Sequence, residues 1–261
     1  MRDIETILND YKTNKITLEQ VKQELSLFSL EFIEDGVKLD LGRYIRKGIP
    51  EVIYTEKKDP ELVKEIVSRL MQRNTTVLLS RVLNKHLEIL RTSFKDKYEL
   101  HISPSFEPYT VIVTSKKFEF PNSSQNIGLL TAGTSDIPVA EEVKAIARLM
   151  GVNVVQFNDV GIAGVHRLFS PLKHMIKKKV RVIVVIAGME GALPAIVSSL
   201  VNVPVIGVPT SIGYGYGGKG KAALMTMLQS CSPGLVVVNI DNGINAGATA
   251  SLIAKQNMAK D

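Results

Sequence analysis

Five continuous apolar runs in the second half of the chain limit its fold most strongly: Ile127–Ala132, Val152–Phe157, Val180–Ala187, Val203–Val208 and Leu235–Ile240. None alternates polar with apolar residues, so each reads as a strand buried on both faces. The stretches between them are long enough for crossover helices, and strands joined in that way run parallel. The expected fold class is α/β: a doubly wound parallel sheet, three-layered, with helices on both faces. Such sheets bind ligands outside the carboxyl ends of their strands, so chemistry is expected in the loops that follow each strand.

The residues before this region have a different texture. Ile4, Ile7, Leu8 and Tyr11, then Leu18, Val21, Leu25 and Phe28, recur at helical spacing and predict packing faces. Val52–Tyr54 and Thr76–Leu79 predict short strands flanking a helix that starts at Asp59-Pro60, where aspartate can cap and proline suits the first turn. The polar, turn-forming run Pro121–Asn126 marks a boundary. The chain therefore divides into a smaller N-terminal α/β domain with leading helices, residues 1–122, and a nucleotide-binding domain, residues 123–261.

No apolar run approaches the roughly 20 residues of a membrane helix, so no membrane partner is expected. The start at Met1–Glu5 lacks the basic and apolar segments of an export signal. The one cysteine, Cys231, cannot close an internal disulfide. A cytoplasmic location is the expectation. The formal charge of +6, with a cluster at Lys177, Lys178, Lys179 and Arg181, suits an anionic small molecule. Nucleic acid is not expected, because the basic residues are not interleaved with aromatic stacking platforms.

The loop after the first strand contains Gly133, Thr134, Ser135 and Asp136 ahead of a helix. Its glycine admits close backbone approach and the helix amides suit a phosphate, although capping alone accounts for serine and aspartate equally well. The second loop combines Gly161 and Gly164 with His166 and Arg167. Arginine reads phosphate with two parallel bonds, and histidine exchanges protons near neutral pH. In the third, Gly188 and Met189 precede Glu190, an acid that also simply suits a helix start. The fourth, from Pro209 to Gly220, includes Tyr214 and Gly215 and is too glycine-dense for ordinary turns. It has no Walker-type sequence, since Lys219 is followed by Gly220. After the fifth strand come Asp241 and Asn242. Cys231 precedes that strand, which places it at the opposite edge of its own sheet, where it can meet the loops only through a neighbouring subunit.

The segments AGTSDIPVAEE (132–142), GVHRL (164–168), AGMEGALP (187–194) and PVIGVPTS (204–211) resemble, in that order, the PurE-type aminoimidazole ribonucleotide carboxylases and mutases. The whole chain is more similar to the LarB family. Three features carry that likeness: the pattern from Asp40 through Arg46 to Val52, the glutamate of AGMEGALP, and a cysteine ahead of VNIDNG (238–243). The resemblance implies a PurE-like, flavodoxin-like fold and a pyridinium-3,5-biscarboxylic acid mononucleotide synthase serving nickel-pincer nucleotide biosynthesis and lactate racemase.

The substrate so implied is nicotinic acid adenine dinucleotide, carboxylated at ring carbon C5 with CO2 or bicarbonate as co-substrate. Hydrolysis of its phosphoanhydride then releases AMP. The resemblance makes Cys231 the nucleophile and Asp136 or His166 the acceptor of the C5 proton. Glu190 assists hydrolysis, by orienting water or a divalent ion such as Mg2+; no resident cofactor is otherwise implied and the metal question stays open. Arg167, the Gly133-Thr134-Ser135 backbone and Arg46 would hold phosphates or carboxylate. Gly188, Met189, Tyr214, Gly215, Asp241 and Asn242 would complete the substrate contacts. A homo-octamer with sites shared between subunits is implied as well. Two alternatives stand beside it: an aminoimidazole ribonucleotide carboxylase or mutase of purine biosynthesis, and a non-catalytic dinucleotide-binding regulatory module.

Overall fold

A computed structural model of the chain describes residues 3–26, 30–33, 37–40, 42–73 and 76–256. Phe28 of the second helical stripe and Leu41 of the Asp40–Val52 pattern lie outside the described residues. The N-terminal half runs α1 (Ile4–Lys12), α2 (Leu18–Leu25), β1 (Leu30–Ile33), β2 (Val37–Asp40), α3 (Arg43–Lys47), β3 (Val52–Tyr54), α4 (Pro60–Arg73), β4 (Thr76–Val82), α5 (Asn84–Phe94), β5 (Tyr98–Ser103) and β6 (Tyr109–Ser115). The second half continues with β7 (Asn126–Thr131), α6 (Ile137–Leu149), β8 (Asn153–Phe157), α7 (His166–Lys177) and β9 (Ile183–Ala187). It ends with α8 (Leu193–Leu200), β10 (Val205–Pro209), α9 (Lys221–Leu228), β11 (Leu235–Val237) and α10 (Gly243–Lys255).

The five strands of the second half form one wholly parallel sheet in the order β11-β10-β9-β7-β8. Counted from β7 this is 2-1-3-4-5, the doubly wound flavodoxin-like order. The fifth strand is shorter than its apolar run. Its ladder stops at Val237, because Asp241 turns the chain with φ +56° and returns its N–H to the Pro209 carbonyl at 2.8 Å. One face of the sheet packs on α6 and α10, the other on α7, α8 and α9.

The N-terminal domain is built on a four-stranded sheet, β3-β4-β6-β5. β3 and β4 are parallel and joined by α4, whose start is held where Asp59 Oδ1 accepts the Glu61 N–H at 2.9 Å. β6 adds an antiparallel partner and β5 forms the far edge, neither of which the apolar pattern predicts. One face buries Val63, Ile66, Leu70 and Leu90 of α4 and α5. The other sets Leu78 and Ile112 against Ile146, Leu149 and Met150. Helices α6 and α10 are thus one shared layer between two sheets, which is why α6 is buried nearly all round. Gly247 of α10 makes that layer thin: a Cβ there would sit 2.8 Å from the Val143 carbonyl and 2.5 Å from Ile146 Cγ2.

The leading helices differ from expectation. α1 and α2 do form, with Asp3 and Thr17 capping, but only Ile7 and Val21 of the stripe are fully buried. Ile4, Leu8, Tyr11 and Leu18 stay exposed because the two helices pack on each other rather than on a sheet.

Candidate active site at the carboxyl edge of the sheet

The loops after β7, β9, β10 and β11 lock into one another at the carboxyl edge. Asp136 Oδ2 accepts the Gly133 N–H at 2.9 Å, and Oδ1 accepts the Thr210 hydroxyl at 2.8 Å, tying the end of β7 to the end of β10. The carboxyl makes no capping bond to α6; its bond to Gly133 caps the short turn Thr134–Asp136, and the Thr210 bond is what capping does not account for. It is only 3% exposed. Burial pushes its pKa up, and the nearby Asp241 carboxylate adds to that, while the Gly133 and Thr210 hydrogen bonds pull the other way. Burial thus favours the protonated form of Asp136 relative to a free aspartate.

Asp241 Oδ1 accepts the Ser211 N–H at 2.8 Å, so the fifth loop also grips the fourth. Gly188 has to be glycine here, since a Cβ would lie 2.4 Å from the Ile212 carbonyl and 2.7 Å from Thr210 Oγ1. Met189, at φ +52°, donates its N–H to that same Ile212 carbonyl at 2.9 Å. Glu190 and Tyr214 are exposed on this edge, as are Thr134, Ser135 and Gly215, while Asn242 caps α10 through Asn245. On the β8 side Arg167 Nη1 reaches Asp159 Oδ2 at 2.7 Å, and His166 opens α7 with its side chain exposed.

The N-terminal domain supplies a wall that the sequence reading missed. β4 bulges between Leu79 and Val82, and Arg81 sits in the bulge at φ +58°. Its Nη2 donates to the Asp241 carbonyl at 2.8 Å, and its Nε lies 3.4 Å from Glu142 Oε1. Ser80 Oγ donates to the same Glu142 oxygen at 2.6 Å. Glu142 is 4% exposed, and burial raises its pKa against the pull of Ser80 and Arg81. These contacts close a cleft of about 1060 Å³ between the domains, lined by Tyr54, Lys57, Arg81, Glu142, Lys219 and Asp241. A smaller cavity of about 230 Å³ continues from Arg81 toward Ser135 and Tyr109. The signal was present: a Ser-Arg pair ends the apolar run of β4, and the carboxyl-edge rule applies to that strand too.

Of the candidates, Ser135, Asp241 and Asn242 line these two cavities; Asp136, Glu190, His166 and Arg167 lie at the carboxyl edge outside their lining, and Arg46 and Cys231 lie away from that edge. Arg46 pairs with Asp40 and donates to the Ser26 carbonyl at 2.6 Å, beside a separate cavity near Thr76 at the other end of β4. Its guanidinium is committed to that cluster. Cys231 is exposed in the loop that enters the amino end of β11, on the far edge of the sheet from Asp136. Among the described residues no three His, Cys, Asp or Glu side chains gather as a metal site, and no helix is long and apolar enough to cross a membrane.

A flavodoxin-like parallel sheet whose carboxyl-edge loops present buried Asp136 beside glycine-lined walls defines a PurE-like α/β protein of the carboxylase or mutase type. Residues 126–260 match AIR carboxylase, and residues 33–103 match the LarB/PurE-like N-terminal domain. The chain belongs to the AIR carboxylase family, in the LarB branch that carries this extra domain. An uncharacterized protein of Methanocaldococcus jannaschii is 43% identical over 256 residues, 97% of this chain and 98% of its own length. The N5-carboxyaminoimidazole ribonucleotide mutase of the same organism is 31% identical over 134 residues, 51% of this chain and 78% of the mutase. That of Thermotoga maritima is 29% identical over 134 residues, covering 49% and 73%.

Proposed function

We propose that this protein carboxylates the pyridinium ring of nicotinic acid adenine dinucleotide at C5 and then hydrolyses the phosphoanhydride. The products are pyridinium-3,5-biscarboxylic acid mononucleotide and AMP. The observation that carries this reading is the two-domain cleft. The carboxylase-type match covers residues 126–260, whereas here the N-terminal domain walls a cleft of about 1060 Å³ that meets the carboxyl-edge loops at Ser211, Asp241 and Asn242. A pocket for one small ligand occupies about 300–1,000 Å³, so this cleft has room for one nucleotide unit beside the edge where Asp136 lies.

A pyridinium ring is electron-poor and does not attack CO2. Addition of the Cys231 thiolate to the ring carbon beside C5 converts the ring to an enamine, and C5 then forms a bond to the carbon of CO2. C5 gives up its proton to Asp136 or His166, the C–S bond breaks, and thiolate is restored. Of the two acceptors Asp136 suits better, since its burial favours taking a proton while His166 lies exposed on the β8 side. Glu190 orients the water that attacks the phosphoanhydride, with AMP as leaving group. Arg167 and the Gly133-Thr134-Ser135 backbone contact the mononucleotide phosphate and carboxylate.

The position of Cys231 requires the thiol to come from a neighbouring subunit. Exposed Met225, Leu228 and Val236 lie on the elements that flank its loop, an apolar surface suited to packing between copies in an octamer with shared sites. Incubation with the dinucleotide and bicarbonate tests the reading. AMP should appear together with a pyridinium nucleotide heavier by one carboxyl group. Turnover of the imidazole ribonucleotide in its place would overturn it in favour of a purine-pathway carboxylase or mutase.

A further inference from the structure

The dinucleotide reading leaves the distal, leaving half of the substrate without an assigned place, and the N-terminal wall of the cleft offers one. Tyr54 ends β3 at the cleft, 46% exposed. Its hydroxyl donates to the Glu56 carboxylate, a bond that raises the phenol pKa and keeps the proton on oxygen. That tether orients the ring, and the side chain stays about half exposed to the cleft. Lys57 follows on the same wall, and Lys219 of the glycine-dense loop lines the cleft from the other domain. Neither lysine is paired with an acid among the described residues, whereas Arg81 is already engaged by Asp241 and Glu142. An oriented, half-exposed aromatic ring with two uncommitted cations is the chemistry that receives a base and its phosphate.

We propose that Tyr54, Lys57 and Lys219 form a subsite for the nucleoside monophosphate half of the substrate. Tyr54 stacks on the base, and the two lysines contact the phosphate from opposite walls. This rests on the dinucleotide reading, and it gives the N-terminal domain a specificity role: it distinguishes a dinucleotide from the mononucleotide that a lone PurE-like domain would accommodate.

Calorimetric titration of the full chain with AMP, adenosine and nicotinic acid mononucleotide tests it. Tyr54→Ala should weaken AMP by about tenfold and leave the nicotinic acid mononucleotide within about twofold, as expected for loss of one stacking contact. Tyr54→Phe should bind AMP like the wild type. Changing Lys57 and Lys219 together to alanine should weaken AMP and leave adenosine unchanged. Unchanged melting of the Tyr54 variants checks that the fold is intact. Equal loss for both mononucleotides, or AMP binding indifferent to Tyr54, would overturn the subsite. Tyr54-dependent AMP binding without carboxylation of the dinucleotide would instead leave the subsite standing and sink the proposed reaction.

Discussion

Arg81 Nη2 donates to the carbonyl of Asp241 across the domain boundary at 2.8 Å, while Arg81 Nε faces the buried carboxyl of Glu142 at 3.4 Å. One side chain from the bulge of β4 therefore fixes both the last loop of the catalytic sheet and the helix beneath it. The wall of the cleft follows from this arrangement rather than from either domain alone.

Removing that side chain should be costly. Arg81→Ala leaves Glu142 buried without its cation, and the expected loss is about 2–4 kcal/mol, at the lower side of a fully buried pair because Arg81 is partly exposed. Adding Glu142→Gln should return part of that stability. Denaturant unfolding of the two single variants and the double variant measures the coupling; additive losses would show that the two groups do not interact.

The raised pKa of Asp136 fixes a sign. A carboxyl whose folded pKa lies above its unfolded value gives stability that is fully present below the unfolded pKa and is lost as pH rises through the folded one. Asp136→Asn removes that ionisation, and its amide can still accept from Gly133 and donate to a rotated Thr210 hydroxyl. Melting temperature of the variant minus that of the wild type should therefore rise between pH 4 and pH 8. A difference that stays flat or falls over that range contradicts the account.

The shared site makes a separate prediction about assembly. On the proposed shared site, Asp136→Asn and Cys231→Ala should each be inactive in carboxylation, each removing a group that a different subunit would contribute. Co-expression of the two chains should restore activity, measured on the purified mixed oligomer, because some sites then combine an intact carboxyl with an intact thiol. Mixed oligomers as inactive as either parent would contradict shared sites.

How much was legible depended on whether the cause was local. The five parallel strands show plainly, since continuous Val, Ile and Leu runs such as Ile183–Ala187 have no other comfortable state. Burial on both faces holds for β7, β9 and β10 but not for the edge strands β8 and β11, which are only partly covered. The carboxyl-edge rule then finds Asp136 and Asp241 without any structure. β5 escaped because its Tyr-Glu-Leu-His-Ile-Ser sequence is half polar, as befits an edge strand. Arg81 escaped for a different reason: its positive φ and its reach to Asp241, 160 residues away, are tertiary facts. Arg46 was a sound phosphate candidate by type, but Asp40 sits six residues before it and takes the charge. The exposed residues of α1 and α2 show the limit of periodicity, which reports an apolar face and not what covers it.

The most direct measurement concerns sulfur. Purified Cys231→Ala protein, supplied with nicotinic acid adenine dinucleotide and labelled bicarbonate, should incorporate label at least about 10³-fold more slowly than wild type, with dinucleotide binding retained. Label incorporated at the wild-type rate would contradict the covalent route.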